Sequence, residues 1–394
     1  MIETNFEKCT ACGACVQVCP KTCISWQEGE FGFLYPHVNK AECIDCHLCE
    51  RVCPIDKMVL TPDQQHFYAA VNQDQDILLK STSGGAFSAL AGYVLAKGGV
   101  VYGCAMNDEF QVEHIRISDE QDLAQLRSSK YVQSNILNTF RQALTDLRNN
   151  RYVLFSGTPC QIAGLNLFLG KNYDKLITVD IVCHGVGSQK YFDKFVTNLE
   201  EREGRVAAIR FRDKKYVGWS CGGVVVVTSN YMSKSGNIEK PFYDFENYYY
   251  AYFLEGKIYR KSCYSCPYAS LNRPGDFTLG DFWGVESLNL DLDVTHGCSL
   301  IITNNEKAHK ILDQLDILKK VEVSYEQAAK QNAQLNHPVP LDDAARKKLL
   351  KQYETMSSKE IQERYCSENK RNLLKGRFKA HMPYGLRVLI RKLR

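Results

Sequence analysis

Nine of the chain's seventeen cysteines lie in the first 53 residues, and eight of them form two copies of one pattern. The first runs Cys9-Thr10-Ala11-Cys12-Gly13-Ala14-Cys15 and continues to Cys19-Pro20; the second runs Cys43-Ile44-Asp45-Cys46-His47-Leu48-Cys49 and continues to Cys53-Pro54. Two-residue steps between thiolates wrap the backbone around one face of an iron-sulfur cubane, and the longer step carries the fourth thiolate to a different cluster. The spacing therefore assigns Cys9, Cys12, Cys15 and Cys53 to one [4Fe-4S] centre, and Cys43, Cys46, Cys49 and Cys19 to a second. Pro20 and Pro54 turn the chain away from each run.

This doubled CxxCxxCxxxCP run is that of bacterial two-cluster ferredoxins, and it makes electron transfer the expected chemistry. Structural zinc also uses CxxC pairs, and disulfides use paired cysteines, but neither calls for four cysteines and a proline in each of two copies. Cys23, on a short apolar stretch with Ile24 and Trp26, reads as a small hydrophobe filling the core.

Seventeen cysteines without a signal peptide suggest metal chemistry in a reducing cytosol. At 394 residues the chain has room for two or three domains. The longest apolar stretch, Phe87 to Met106, is broken by Lys97-Gly98-Gly99, so a helix, a turn and a strand are expected there in place of a membrane span. The net charge of +4 is unevenly spread: residues 370–394 hold nine Lys or Arg and no Asp or Glu. That leaves 40 basic against 45 acidic side chains in residues 1–369. After Pro383, Leu386, Leu389, Ile390 and Leu393 recur at helical spacing opposite Arg387, Arg391 and Arg394. Such a basic amphipathic helix suits the inner face of an anionic membrane, a partner protein, or its own domain. Nucleic acid is not an expected partner, because no stacking platform or recognition motif accompanies the charge.

Beyond the cysteine runs, Phe67–Val71 reads as a strand, Ser81-Thr82-Ser83-Gly84-Gly85 opens an apolar helix to Ala96, and Val100–Tyr102 is a strand. Helical patterns cover Gln121–Gln125 and Ser134–Arg148. Apolar runs at Tyr152–Phe155 and Ile177–Val182 are each followed by a tight turn and a helix, Gln161–Leu169 and Gln189–Arg202, which implies parallel βαβ units. Val206–Phe211 and Gly222–Thr228 read as antiparallel strands, and the period of the tyrosine-rich Asn247–Phe253 fits helix or strand. The expected fold is α/β (α+β overall). A 2[4Fe-4S] ferredoxin-like domain over 1–60 precedes a mixed α/β domain over 61–335, and beyond Pro338 and Pro340 a helical region fills 336–394.

Cys263-Tyr264-Ser265-Cys266-Pro267 supplies two further thiolates, where a cubane needs four. Cys160 and Cys183 each follow an apolar strand, at the end of a parallel sheet where functional groups gather, and each precedes a helix whose amides favour thiolate. Cys160, Cys183, Cys263 and Cys266 are thus candidates for a third [4Fe-4S] centre, with Cys104, Cys221 and Cys298 as uncommitted competitors.

The stretches Ser81–Gly85, Gly157-Thr158-Pro159-Cys160-Gln161, Asp180–Gly185, Cys263–Pro267 and Gly280-Asp281-Phe282-Trp283-Gly284 resemble the family of β subunits of deazaflavin (F420) hydrogenases and dehydrogenases. A plant 7-hydroxymethyl chlorophyll a reductase belongs to the same family. The resemblance covers about residues 1–300 and implies FAD beside a [4Fe-4S] cluster. Given FAD, Ser83-Gly84-Gly85 before a helix is a candidate pyrophosphate cradle. Thr158, the Ser129-Lys130-Tyr131 stretch and Asp281 are candidate flavin contacts. Lys130 reads equally as a solvated lysine, and Asp281 as a turn cap.

The expected activity is that of an FAD-dependent iron-sulfur oxidoreductase. Single electrons from a ferredoxin-type donor pass through three [4Fe-4S] clusters to FAD and leave as a hydride to a small-molecule substrate, or the flow reverses. His184 is a candidate proton carrier or a core histidine. The competing expectations are an electron-transfer subunit that serves a partner enzyme and a structural zinc protein.

Overall fold

A computed structural model describes residues 2–55, 57, 65–219, 223–229 and 236–380. Cys221 and the tail from 381 to 394, with its expected amphipathic helix, lie outside the described residues. Two short strands, β1 (Ile24–Glu28) and β2 (Leu34–Val38), pair antiparallel in the cysteine-rich module. The centre of the molecule is an eight-stranded sheet. Its strands are β3 (His66–Asn72), β4 (Val100–Met106), β5 (Val112–Ile117), β6 (Val153–Gly157), β7 (Leu176–Ile181), and three that come later in the chain. A separate antiparallel sheet is built from β8 (Val206–Arg210), β9 (Gly223–Ser229) and β10 (Gly236–Phe242). The chain then returns to the large sheet with β11 (Phe277–Asp281), β12 (Ser299–Thr303) and β13 (Leu318–Val323), giving the order β13-β3-β12-β11-β7-β6-β4-β5.

The four inner strands β11, β7, β6 and β4 run parallel, and antiparallel strands flank them on both sides. The βαβ units expected from the apolar runs are these. Because side chains alternate across a strand, Val101, Leu154, Ile177 and Leu279 pack under the helices Ala86–Leu95 and Glu306–Asp313. Val100, Tyr102, Val153, Phe155 and Leu176 pack on the opposite face, under Thr139–Arg148 and Pro159–Leu169. Phe87–Met106 forms the expected helix, turn and strand, and among the described residues no helix is long and apolar enough to cross a membrane.

Three local readings change. The helix expected from Ser134 begins at Thr139, because Asn135 is taken into a bridge with Glu113 and Leu137 adopts a left-handed backbone. The Gln121–Gln125 helix is a 3-10 turn, Glu120–Asp122, followed by Leu123–Leu126. The tyrosine-rich segment is a helix, Tyr248–Leu254, whose residues 248–253 are all buried, so neither period was visible in its composition. Past Pro340 come the helices Asp343–Thr355, Ser358–Glu368 and Lys370–Ala380, the last with Leu374 and Phe378 exposed.

One buried ion pair holds the site end of the sheet. Arg273 and Asp180 are 1% and 0% exposed, with Nη2 and Oδ1 2.5 Å apart. Asp180 also accepts from Gly275 N at 2.9 Å and Thr278 Oγ1 at 2.8 Å, while Arg273 donates to the carbonyls of Ile181 and Tyr268. The end of β7, two residues before Cys183, is thereby tied to the loop that follows Cys266. Replacing one partner strands a buried charge, so Arg273→Met is expected to cost about 3–5 kcal/mol. Chemical denaturation checks this, and an unchanged midpoint would refute the clamp.

Candidate functional site

Each cysteine set singled out in the sequence lines a cavity of its own. Cys19, Cys43, Cys46 and Cys49 surround one, Cys9, Cys12, Cys15 and Cys53 a second, and Cys160, Cys183, Cys263 and Cys266 a third. Cys19 and Cys53 have thus crossed to the triplet of the other copy. Among the described residues no three His, Cys, Asp or Glu side chains converge on a point suited to a single metal ion. Each set of four cysteines lines one cavity, the arrangement that a cubane's four thiolate ligands would need.

The two copies fold alike in detail. Ala11 and Asp45, at matching positions, both have φ of 50°, and Gly13 and His47, also matching, have φ of 81° and 57°. A left-handed backbone is costly for residues other than glycine, and its recurrence at the same place marks a loop bent around a common object. A short helix follows in each copy, Ala14–Val18 and Leu48–Arg51. Cys46 is exposed, whereas Cys9, Cys12 and Cys15 are buried, so the first cavity faces outward and the second inward. Cys23 is buried in an apolar cluster with Ile24, as expected, and its sulfur lies 3.5 Å from Cys19 Sγ in the lining of the outer cavity.

The module seats on the sheet domain through the helix Pro159–Leu169. At Gly164 an added Cβ would sit 2.8 Å from Cys12 Sγ, and only a missing side chain allows that approach. Gln17 Oε1 accepts from Phe140 N at 3.0 Å, and Arg141 donates to the carbonyls of Gln17 and Cys19.

In the third cavity, Cys160 is the second residue of the Pro159–Leu169 helix, Cys183 lies two residues past β7, and Cys263 and Cys266 belong to and follow the 3-10 turn Lys261–Ser265. Thr158 closes the helix start in a capping box with Gln161, and its Oγ1 lies 3.2 Å from Cys160 Sγ. The expected helix amides are in place at Cys160, where backbone hydrogen bonding lowers the pKa against burial, but not at Cys183. Burial raises the Cys160 and Cys183 pKa values, and the helix after Cys183 begins only at Gln189. Burial and then the neighbouring sulfurs push Cys263 up to about 12 and Cys266 up to about 11. Four half-buried thiols that resist ionisation become thiolates when a metal centre supplies the compensating charge. Of the competitors, Cys104 and Cys298 lie outside this lining.

The other candidates gather around the carboxyl end of the parallel strands. Asp281 ends β11 and pairs in register with Ser299, which pairs with Ala70 on β3. Ser83 Oγ donates to the Cys298 carbonyl at 2.7 Å. Gly85, with φ of 83°, caps the helix Ala86–Leu95, but a Cβ on Gly84 would lie 2.3 Å from Ala70 O, so Gly84 is set by packing against the chain's own backbone. Asp281 accepts from Arg212 at 3.0 Å and from Trp219 Nε1 at 2.8 Å. Tyr131 joins the group through the Arg212 guanidinium at 3.3 Å, and Trp219 stacks on Trp283 at 5.0 Å. Lys214 donates to the carbonyls of Leu78 and Ser83, and burial lowers its pKa to about 8.

Lys130 is neither solvated nor free for a flavin: its amine donates to the carbonyls of Cys104 on β4 and of Gln125 and Arg127 just before it, spending all three protons on the chain itself. Arg212, Lys214 and Trp219 were missed in the sequence. They follow β8 in the antiparallel sheet, and only the tertiary fold carries them to β11; the run Arg212-Asp213-Lys214-Lys215 looks like a solvated turn. His184 lines the third cavity, and burial lowers its pKa. If Gly164 is the seat of the module, Gly164→Ala is expected to destabilise the chain by about 1–3 kcal/mol through overpacking, although alanine is the better helix former. A rise in the denaturation midpoint would refute the seat.

Comparison with known proteins agrees with this arrangement. Residues 8–57 match a 4Fe-4S dicluster domain. Residues 67–141 and 150–329 match the N-terminal and C-terminal models of the coenzyme F420 hydrogenase/dehydrogenase beta subunit. One subunit of the F(420)H(2) dehydrogenase of Methanosarcina mazei is 22% identical over 187 residues, which is 44% of this chain and 52% of that protein. A ferredoxin of Mycolicibacterium smegmatis is 42% identical over 64 residues, 16% of this chain and 56% of that one. The chain thus spans about half the length of these curated relatives. A chain of the F420-reducing [NiFe] hydrogenase complex from Methanosarcina barkeri aligns over 80% of this chain and 94% of its own, at 16% identity and a TM-score of 0.43. With an iron-sulfur module joined to a sheet domain that both beta-subunit models match, the chain belongs to the family of coenzyme F420 hydrogenase/dehydrogenase beta subunits.

Proposed function

We propose that this chain is an iron-sulfur flavoprotein oxidoreductase. It takes electrons singly at the outward-facing Cys46 end from a ferredoxin-type donor and delivers them in pairs to a small molecule. The observation that carries the reading is the division of the twelve candidate ligand cysteines into three cavities, of which the second and third share Thr10 as a common wall. When bound, [4Fe-4S] clusters exchange single electrons and FAD exchanges pairs, so their combination converts one into the other.

The donor set beside β11 suits the pyrophosphate of FAD. Arg212 and Lys214 bring two cations against the one carboxylate of Asp281, next to the helix that starts after Gly85, so an anion would balance the site. Ser83 and Gly85 would present that helix start, and Asp281 holds Arg212 in place. Thr158 sits with Cys160 and supports the third centre more directly than a flavin. His184 lines the third cavity and feels the charges of Asp281 and Arg212; it is neutral at pH 7 and suited to carry a proton to a bound substrate. The family and the dehydrogenase relative make the deazaflavin coenzyme F420 the first substrate to assay.

A second reading is favoured by that relative's being one subunit of a dehydrogenase: the chain relays electrons to a partner that holds the substrate site. Turnover of the purified chain with reduced ferredoxin and F420 would exclude it. The exposed Leu374 and Phe378, with the basic charge of residues 370–394, support contact with an anionic membrane surface. Deleting 370–394 is expected to abolish flotation with anionic liposomes.

Anaerobic protein is expected to carry about twelve irons per chain, the count for three cubanes, and Cys183→Ser to lose about four of them. A zinc-containing, iron-free preparation would defeat the proposal. An anion beside Lys214 favours its protonated form, so FAD affinity is expected to fall as pH rises through about 8. Lys214→Met should flatten that profile, as followed by flavin fluorescence.

A further inference from the structure

In the wall of the third cavity stands one buried cation that the reading above leaves without a role. Arg260 is 2% exposed and lines the third cavity. Its Nε donates to Gln133 Oε1 at 2.8 Å and its Nη2 to the Leu34 carbonyl at 3.0 Å. Gln133 in turn donates to the carbonyl of Thr10, the residue common to both cavities, and Ser262 donates to the carbonyl of Cys9. The guanidinium lies against two rings of the cysteine-rich module, 4.6 Å from the centroids of Phe33 and Tyr35. Arg260 is therefore part of the wall itself, joining the 260–266 segment to the module.

Its third nitrogen, Nη1, is buried with no hydrogen-bond partner, and among the described residues Arg260 faces no carboxylate in an ion pair. A buried guanidinium left this way costs several kcal/mol unless negative charge lies close by. Arg260 shares the lining of the third cavity with the four cysteines there, and Gln133 and Ser262 tie its segment to the backbone of Thr10 and Cys9 in the module. Burial raises the pKa of Cys9, Cys160 and Cys263, and the Arg260 charge opposes that rise at all three. Cys9 belongs to the inner centre of the module, while Cys160 and Cys263 belong to the third. Arg273 acts in the same sense on Cys266, but its charge is already matched by Asp180.

We propose that Arg260 is the shared counter-cation of the Cys9/Cys12/Cys15/Cys53 and Cys160/Cys183/Cys263/Cys266 centres, raising both reduction potentials together and leaving the outer centre untouched. The inference rests on the three-centre reading above. Each one-electron reduction adds a negative charge to a cluster already anionic through its four thiolates, and a fixed cation in the wall stabilises that added charge on either side. An electron from the donor is thus drawn past the outer centre into a pair of centres kept level with each other. Arg260 touches no reacting atom, so its role is positioning of potential, not catalysis.

The test is a redox titration of the anaerobic holoprotein followed by electron paramagnetic resonance, with iron counted first. A wild-type count near eight, in place of about twelve, would overturn the three-centre reading before any variant is made. Arg260→Met is expected to make reduction of both inner centres at least tenfold less favourable, about 59 mV for a one-electron couple, with the outer centre unmoved. Arg260→Lys should restore most of the shift, because it keeps the charge. Gln133→Glu sets a carboxylate against the guanidinium at nearly constant volume, and both potentials should again fall. If Arg260→Met does not fold, Gln133→Glu decides. Unmoved potentials, a shift confined to one inner centre, or an equal shift of all three would overturn the proposal and leave Arg260 as a packing plank on Phe33 and Tyr35.

Discussion

The arrangement depends on the buried pair Asp180–Arg273. A carboxylate and a guanidinium with almost no solvent contact hold each other only if their remaining hydrogen-bonding groups are met, and here Gly275, Thr278, Ile181 and Tyr268 meet them. The consequence is geometric. Cys183 and Cys266 are far apart in the chain, yet both lie next to the clamp and line the same cavity. A loop that carries metal ligands must be held without the metal's help if the site is to form reproducibly, and the pair supplies that hold on the β7 side.

A second constraint works at the surface between module and sheet. Gly164 opens the helix Pro159–Leu169 to Cys12, Gln17 caps amides at the start of Thr139–Arg148, and Arg260 lies on Phe33 and Tyr35. These contacts bring the inner cavity of the module against the third cavity, with Thr10 between them. The same fold turns Cys46 outward. Cys46 of the module is thus at the surface, and its Cys12 end adjoins the sheet.

The antiparallel sheet β8–β10 has a use in this scheme. It delivers Arg212, Lys214 and Trp219 to the carboxyl end of β11, where Asp281 and Trp283 wait. Lys130 illustrates the opposite outcome. A lysine in a polar stretch looked available to a ligand or to solvent, and the fold closed it on three backbone carbonyls, one of them on β4. Cys160 shows how a local rule for thiolates is limited by burial, which outweighs the helix-end field there, while Cys183 has no helix start beside it.

What the sequence determined by itself was chemistry with a short reach. Thiolate spacing in two-residue steps sets how a backbone can wrap a cluster, so the eight N-terminal ligand candidates and their crossed pairing were legible, as were the parallel strands whose apolar runs alternate with helices. Cys160, Cys183, Cys263 and Cys266 could be nominated from their places after strands and in a CxxC pair, but not brought together on those grounds. Only the tertiary structure decided that they share a cavity, that Thr10 and Arg260 form its wall with the module, and that Arg212 and Lys214 face Asp281. Those are contacts between residues tens to hundreds of positions apart, fixed by which faces of the sheet are buried, and no local pattern in the chain encodes them.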